Sequence, residues 1–245
     1  MENTDVHWKH WGRFDPYRAV LFNERYKRER LNDSFHEFFE SGQAYIDLLM
    51  QKVEQLNPSL PLLTAVEFGC GVGRLAIPLA KRFRKVIGVD ISPEMLNESR
   101  QNCSRFGVSN AEFVLSDDLL SLVPSEVQLV HSCKVLQHIP VKRGFAICKR
   151  LVDRLAPGGM CALHVTIERD LPFAKKLAYS AKHSFPASRY LLNILQRKAM
   201  TEPLMQMNPY PITAMHEVLV SAGLRDVWIY PISKSHGVVW FGTKA

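Results

Sequence analysis

The stretch Val66-Glu67-Phe68-Gly69-Cys70-Gly71-Val72-Gly73-Arg74-Leu75-Ala76 constrains this chain more than any other. Leu62 to Phe68 reads as a short buried strand, and after the alternating glycines Leu75, Ile77, Leu79 and Ala80 begin an apolar helical face. Glycine reaches positive φ and carries no Cβ, so a turn of this kind lets a ligand touch backbone. Strand, Gly-rich turn and helix N-terminus in that order make a nucleotide-binding edge of a parallel sheet.

From Leu62 onward the pattern alternates between strand and helix, which signals a mostly parallel sheet with helices on both faces. Strands are predicted over 62–68, 85–89, 111–115, 127–132 and 159–167, and helices over 73–83, 93–106 and 141–156. Ser92-Pro93 supplies an N-cap and a first helical residue, and Pro157-Gly158-Gly159 is expected to stop a helix and start a strand. A helix at 212–222 and strands near 224–230 and 237–243 would close the sheet with an antiparallel hairpin. Residues 1–57 read as a helical cover outside this core. Asp15-Pro16 starts one helix, a second runs from Phe35 to about Gly42, and a third from Gln43 to Leu56. Residues 168–211 interrupt the rhythm with prolines at 172, 186, 203, 209 and 211, a lid-like insertion. The expectation is one α/β domain over 1–245, a doubly wound seven-stranded sheet with an antiparallel last strand. Its parts are the cover at 1–57, a core at 58–167, the insertion at 168–211 and a closing helix and hairpin at 212–245.

Composition narrows the setting. A chain of 245 residues that is 47% hydrophobic builds one large α/β domain without a second core. No apolar run reaches the roughly 18 residues that span a bilayer, and no signal-peptide pattern is present, so a cytoplasmic location without membrane association is expected. The five cysteines lack zinc-type pairing and read as free thiols, with no metal site. The net charge of +7 is concentrated between Phe173 and Lys198, where Lys175, Lys176, Lys182, Arg189, Arg197 and Lys198 occur with no acid between them. A solvated helix face and an anion-facing lid are the two readings of that run.

Glu67-x-Gly69-x-Gly71-x-Gly73 lacks the third glycine of the dinucleotide fingerprint, since Arg74 stands in its place. An acidic residue followed by Gly-x-Gly-x-Gly resembles instead the first motif of the class I, Rossmann-like S-adenosylmethionine-dependent methyltransferases of the small-molecule type. Gly88-Val89-Asp90-Ile91-Ser92, Ser116-Asp117-Asp118, Leu129 to His138 and Leu155-Ala156-Pro157-Gly158-Gly159 agree with that family in order and spacing. The family often carries an acid at the start of the fourth strand, where this chain has Gln128.

The resemblance implies S-adenosylmethionine as cofactor and S-adenosylhomocysteine as product. It implies backbone approach at Gly69, Cys70, Gly71 and Gly73, and a Glu67 that orients the loop or the ligand's ammonium. Asp90 would accept both ribose hydroxyls, Ile91 would pack on the adenine, and Asp117 and the Asp118 backbone would meet its edge. Ser132 and Cys133 would line the methionine side. His138 resembles the histidine often found near the methyl group, as general base or acceptor-positioning residue. His36, His131, His164, His216 and His236 carry no feature that raises them above packing or surface roles. Asn208-Pro209-Tyr210 resembles the Asn/Asp-Pro-Pro-Tyr motif of DNA amino-methylating enzymes, but it follows the wrong strand and lacks a proline, so DNA is rejected as a partner. Trp11, Tyr17 and Tyr210 are candidate acceptor contacts. A small-molecule acceptor, anionic if the basic run faces it, is expected to be O- or N-methylated. The alternatives are an RNA or protein methyltransferase and a non-catalytic S-adenosylmethionine-binding regulator, and the sequence leaves the oligomeric state open.

Overall fold

The computed structural model describes residues 4–168, 193, 195, 202, 203, 205–232 and 237–245. The basic run at 173–198 therefore lies outside the described residues apart from Asn193 and Leu195, as does most of the predicted insertion.

Seven strands form one sheet: β1 Thr64–Phe68, β2 Lys85–Asp90, β3 Ala111–Leu115, β4 Val127–Ser132, β5 Leu155–Thr166, β6 Leu224–Pro231 and β7 Gly237–Lys244. Their order is β3-β2-β1-β4-β5-β7-β6. The first five are parallel, and β7 runs antiparallel between β5 and β6. Both faces of the sheet are covered, which explains why the central strands carry apolar residues on both of their faces. Ala65, Val86, Leu129 and Ala162 face one core, and Val66, Ile87, Val130 and Leu163 face the other.

The second core is closed by α6 (Val141–Asp153) and α7 (Ile212–Ser221), through Ile147, Leu151, Met215 and Leu219. The first is closed by α1 (Thr4–Phe14), α2 (Pro16–Leu21), α3 (Leu31–Leu56), α4 (Ala76–Ala80) and α5 (Pro93–Arg105). The aromatic residues of the N-terminal part are packing surface. Tyr17 and Tyr26 each meet Phe38 at 5.2 Å between ring centroids, and Phe39 meets Phe106 at 4.7 Å.

Several local expectations are corrected. One helix, α3, replaces the two predicted on either side of Gly42. Gly42 is a point of close approach rather than a break, because a Cβ there would stand 2.3 Å from the carbonyl oxygen of Arg74. The helix predicted over 73–83 shrinks to Ala76–Ala80, with Pro78, which has no N–H to give, inside it. Pro157-Gly158-Gly159 lies within β5, where the register shifts between Val127↔Leu155 and Leu129↔Met160. The predicted cap at Ser92 is present, its Oγ accepting from the Met95 N–H at 3.3 Å. Asp15 makes no side-chain cap and instead accepts from the Arg28 N–H at 3.3 Å. Gln128, where the family pattern favours an acid, ties β4 to β1 by accepting from the Thr64 N–H at 2.8 Å.

Candidate cofactor and acceptor site

The chain leaves β1 toward one edge of the sheet and β4 toward the other, so a crevice forms where the strand order reverses. A cavity of about 530 Å³ opens there, within the roughly 300–1,000 Å³ common for small-molecule sites. Gly69, Gly71, Asp90, Ile91, Asp118, Cys133 and His138 all line it.

At one end the wall is the glycine turn. Gly69 has φ 76°, and a Cβ on it would fall 2.2 Å from a Val135 methyl, so both conformation and space demand glycine. The Gly71 N–H donates to Asp90 Oδ2 at 2.9 Å, and the Ser92 N–H donates to Oδ1 at 2.9 Å. With the Ile91 N–H also bonded to it, the carboxylate keeps a lone pair for a ligand hydroxyl. Burial pushes the Asp90 carboxyl up, opposed by these backbone bonds. From beneath, α5 braces the turn: Ser99 Oγ donates to the Gly71 carbonyl at 2.6 Å and Asn102 Nδ2 to the Val72 carbonyl at 2.9 Å. Sequence reasoning missed both; the available signal was two polar residues on the buried face of α5.

At the other end the roof is α1. Thr4 Oγ1 donates to the His138 carbonyl at 2.9 Å, and the Trp8 ring lies 4.9 Å from the His138 ring. Arg143 on α6 grips Asp5 at 2.7 and 2.9 Å and Asp118 at 2.8 to 3.0 Å, joining the roof to the loop after β3. His138 Nδ1–H donates to the Gln206 carbonyl at 2.7 Å, which leaves Nε2 to accept from the Gln137 amide at 3.2 Å. Thr166 Oγ1 in turn donates to Gln137 Oε1 at 2.5 Å. Burial pushes the His138 imidazole down to about 4, so it is neutral at pH 7.

Other sequence candidates stand behind the wall. Asp117 turns away from the cavity: its Oδ1 accepts from the Ser121 N–H at 2.9 Å, which holds its carboxyl below the ordinary range, and Asp118 occupies the wall instead. Glu67, 1% exposed, pairs with His131 Nδ1 on β4, and Tyr45 of α3 bonds the other ring nitrogen at 3.1 Å. Ser132 Oγ donates to the Phe68 carbonyl at 3.0 Å, joining the ends of β1 and β4. Cys70 is buried against Gly88, and Gly73 packs on Ser99; neither lines the cavity.

The three aromatic acceptor candidates are corrected. Trp11 is buried, with the Arg18 guanidinium over its ring at 5.2 Å. The Tyr17 hydroxyl is taken by Glu98 at 2.6 Å and Asn102 at 3.0 Å, docking α2 on α5. The Tyr210 hydroxyl reaches the carbonyls of Leu136 at 2.9 Å and Ile139 at 3.1 Å, so it anchors the chain before α7. Each hydroxyl or ring is engaged in packing between elements, and none of the three lines this cavity. Trp8, Lys134, Gln137, Arg143, His164 and Thr166, none of them marked in the sequence, line the cavity instead. Among the described residues no cluster of His, Cys, Asp or Glu is placed to hold a metal ion, and no helix is long and apolar enough to cross a membrane.

A doubly wound sheet with a glycine turn and a carboxylate at its switch point defines an α/β domain that binds a nucleoside-bearing ligand. Comparison with known proteins narrows the class: residues 65–159 match the methyltransferase domain family. Over that stretch the chain is similar to methyltransferase domains, and its fold is shared by solved S-adenosylmethionine-dependent methyltransferases. It is 31% identical over 116 residues to a ubiquinone biosynthesis O-methyltransferase of Methylococcus capsulatus, covering 46% of this chain and 48% of the relative. An uncharacterized RNA methyltransferase of Lactococcus lactis is 26% identical over 218 residues, 84% of this chain and 38% of that one. The chain spans about half or less of the length of both relatives. The crystal structure of magnesium protoporphyrin IX methyltransferase from Synechocystis, with bound S-adenosylhomocysteine, shares the fold at a TM-score of 0.64 and 17% identity, over 99% of this chain and 100% of that one.

Proposed function

We propose that this chain transfers the methyl group of S-adenosylmethionine to an oxygen atom of a small-molecule acceptor. The observation that carries the reading is one continuous cavity that joins the Gly69–Gly71–Asp90 crevice to a chamber roofed by α1. The residues fit the cofactor: an uncluttered glycine turn beside a carboxylate with a free lone pair, an apolar Ile91, and Asp118 at the wall. S-adenosylmethionine supplies an electrophilic methyl group on a sulfonium. Asp90 accepts the ribose hydroxyls, the backbone of Gly69 and Gly71 lies along the ligand, and Ile91 covers the adenine. Asp118 takes the place expected of Asp117 at the adenine edge. Glu67, Ser132, Ser99 and Asn102 act by holding the turn in shape.

Alignment of donor and acceptor supplies the acceleration, and proximity of this kind contributes roughly 7–11 kcal/mol. His138 is a positioning residue in this reading. Its Nδ1 proton is fixed on Gln206, its Nε2 is engaged by Gln137, and its lowered basicity suits it poorly to removing a proton. The ubiquinone relative supports oxygen as the acceptor atom, and the roofed chamber supports a small acceptor.

RNA is the second reading, favoured by the net charge of +7 and by the Lactococcus relative. Calorimetric titration with S-adenosylhomocysteine tests the cofactor, and absence of binding at millimolar ligand ends the proposal. RNA affinity that falls steeply with salt would transfer the acceptor to RNA.

A further inference from the structure

We infer that Lys134 and His164 form an anion-holding subsite at the acceptor end of the cavity, which selects an acceptor bearing a carboxylate on an apolar body. The inference rests on the methyl-transfer reading above and deepens it.

Lys134 follows β4 in the left-handed region, φ 59°, a conformation uncommon for a residue with a side chain. What that conformation accompanies is a backbone bond: the Lys134 N–H donates to His164 Nδ1 at 3.2 Å. An Nδ1 that accepts leaves the ring proton on Nε2. His164 is 3% exposed and lines the cavity, and its Nε2–H has no acceptor among the described residues. Gly237 leaves the room this ring needs, since a Cβ there would stand 2.4 Å from Nε2. The ring forms part of the cavity wall, so a ligand atom seated there can accept this proton.

Lys134 lines the same cavity and is exposed, and its ammonium has no ion pair among the described residues. The other described cation of the wall, Arg143, is taken up by Asp5 and Asp118. His138 is engaged at both ring nitrogens. Burial, with the neighbouring Lys134 charge, holds the His164 imidazole down to about 4. At neutral pH it offers an N–H without charge, and the charge that meets an anion comes from Lys134. The surrounding wall is apolar, with Trp8, Val135, Met205 and Met207.

A carboxylate seated here needs no protein base. Its oxygen lone pair forms the new bond to the methyl carbon while the carbon–sulfur bond breaks, and that bonding pair goes to sulfur. The negative charge of the acceptor and the positive charge of the sulfonium cancel, and no proton moves. The product is a methyl ester.

The test is a titration of the full chain, ¹⁵N-labelled in histidine, with benzoate, phenylacetate, 3-phenylpropionate and 4-phenylbutyrate and with the primary amide of each. It is run with and without saturating S-adenosylhomocysteine. The acids are expected to bind about tenfold tighter than their amides, as for a hydrogen bond to a charged group, and to move the His164 Nε2 resonance. Lys134→Gln should bring acid and amide to within about threefold, and Lys134→Arg should keep the preference. Equal binding of acids and amides, no binding of any acid at millimolar concentration, a preference that survives Lys134→Gln, or acid binding that leaves His164 unmoved overturns the subsite. If S-adenosylhomocysteine binds and the acids show no preference, the subsite alone falls. If the acids bind as expected and S-adenosylhomocysteine does not, the methyl-transfer reading falls and the anion subsite stands.

Discussion

Near Asp90 the cavity wall is largely backbone, a glycine turn whose N–H groups and carbonyls are fixed by Asp90, Ser99 and Asn102. Near His164 the wall is brought together from α1, the turn after β4, β5, the segment before α7 and Gly237 of β7. In the proposed reading the first end meets what is constant in the ligand, and its geometry is held by local sequence. The second is assembled from residues far apart in the chain, where each position can change without disturbing the sheet. One fold can therefore keep the first end and vary the second.

Acidification separates the two ends most strongly. His138 and His164, both at the acceptor end, are pushed from 6.5 to about 4. Between those values the unfolded chain binds more protons than the folded one, so stability rises with pH across the window and is lost as pH falls from 6.5 toward 4. Each shift corresponds to roughly 3 kcal/mol at most. Asp90, at the other end, is shifted up, so its contribution has the opposite sign: it disfavours folding when ionised and recovers on protonation. Denaturant midpoints across this range should fall with acid in the parent, and less so in His164→Leu. An equal slope in both assigns the loss elsewhere.

Asp90→Ala should weaken S-adenosylhomocysteine by about 3 kcal/mol, roughly a hundredfold, for the loss of two hydrogen bonds to a charged acceptor. His138→Ala should leave it within about threefold. Calorimetry on the two variants checks this, and comparable losses would erase the division between the ends. Gly42→Ala comes next. An ordinary helix glycine gains about 1 kcal/mol on this change, but the 2.3 Å approach to the Arg74 carbonyl should turn the gain into a loss of about 2 kcal/mol. Chemical denaturation gives the sign directly. The smallest effect is that of Arg143→Ala. Its ion pairs are part-exposed, so global stability should change by about 1 kcal/mol or less. The amides of α1 should nevertheless exchange faster in hydrogen-exchange measurements, and unchanged rates would mean the roof does not depend on this link.

The same division governs what the sequence reveals. Alternating strand and helix patterns announced the parallel sheet, because both covered faces force apolar strands and short crossovers. The glycine turn and Asp90 could be read because a single short stretch fixes each of them. Asp117 and Asp118 could not be ordered, since which acid faces the cavity depends on a turn bond to Ser121. Gly42 was misread as a break because the close neighbour that requires it is at Arg74, distant in sequence. Tyr210 carried a motif-like context and proved to be an anchor. His164 showed only a strand pattern, and its standing depends on a backbone N–H thirty residues away, at Lys134.

The contacts that seat α1 span most of the chain: Thr4 meets His138 across 134 positions, and Asp5 meets Arg143 across 138. Loops of that length close late, after the strands between them have paired. During synthesis the helix that roofs the cavity leaves the ribosome before any strand of the sheet; α5, against which Gly12 packs at Ser92 and Met95, follows first, and the seats at His138 and Arg143 come only with β4 and α6. The roof should accordingly form a unit of its own in folding, last to gain protection and first to lose it, while the glycine turn beneath shares the full stability of the sheet.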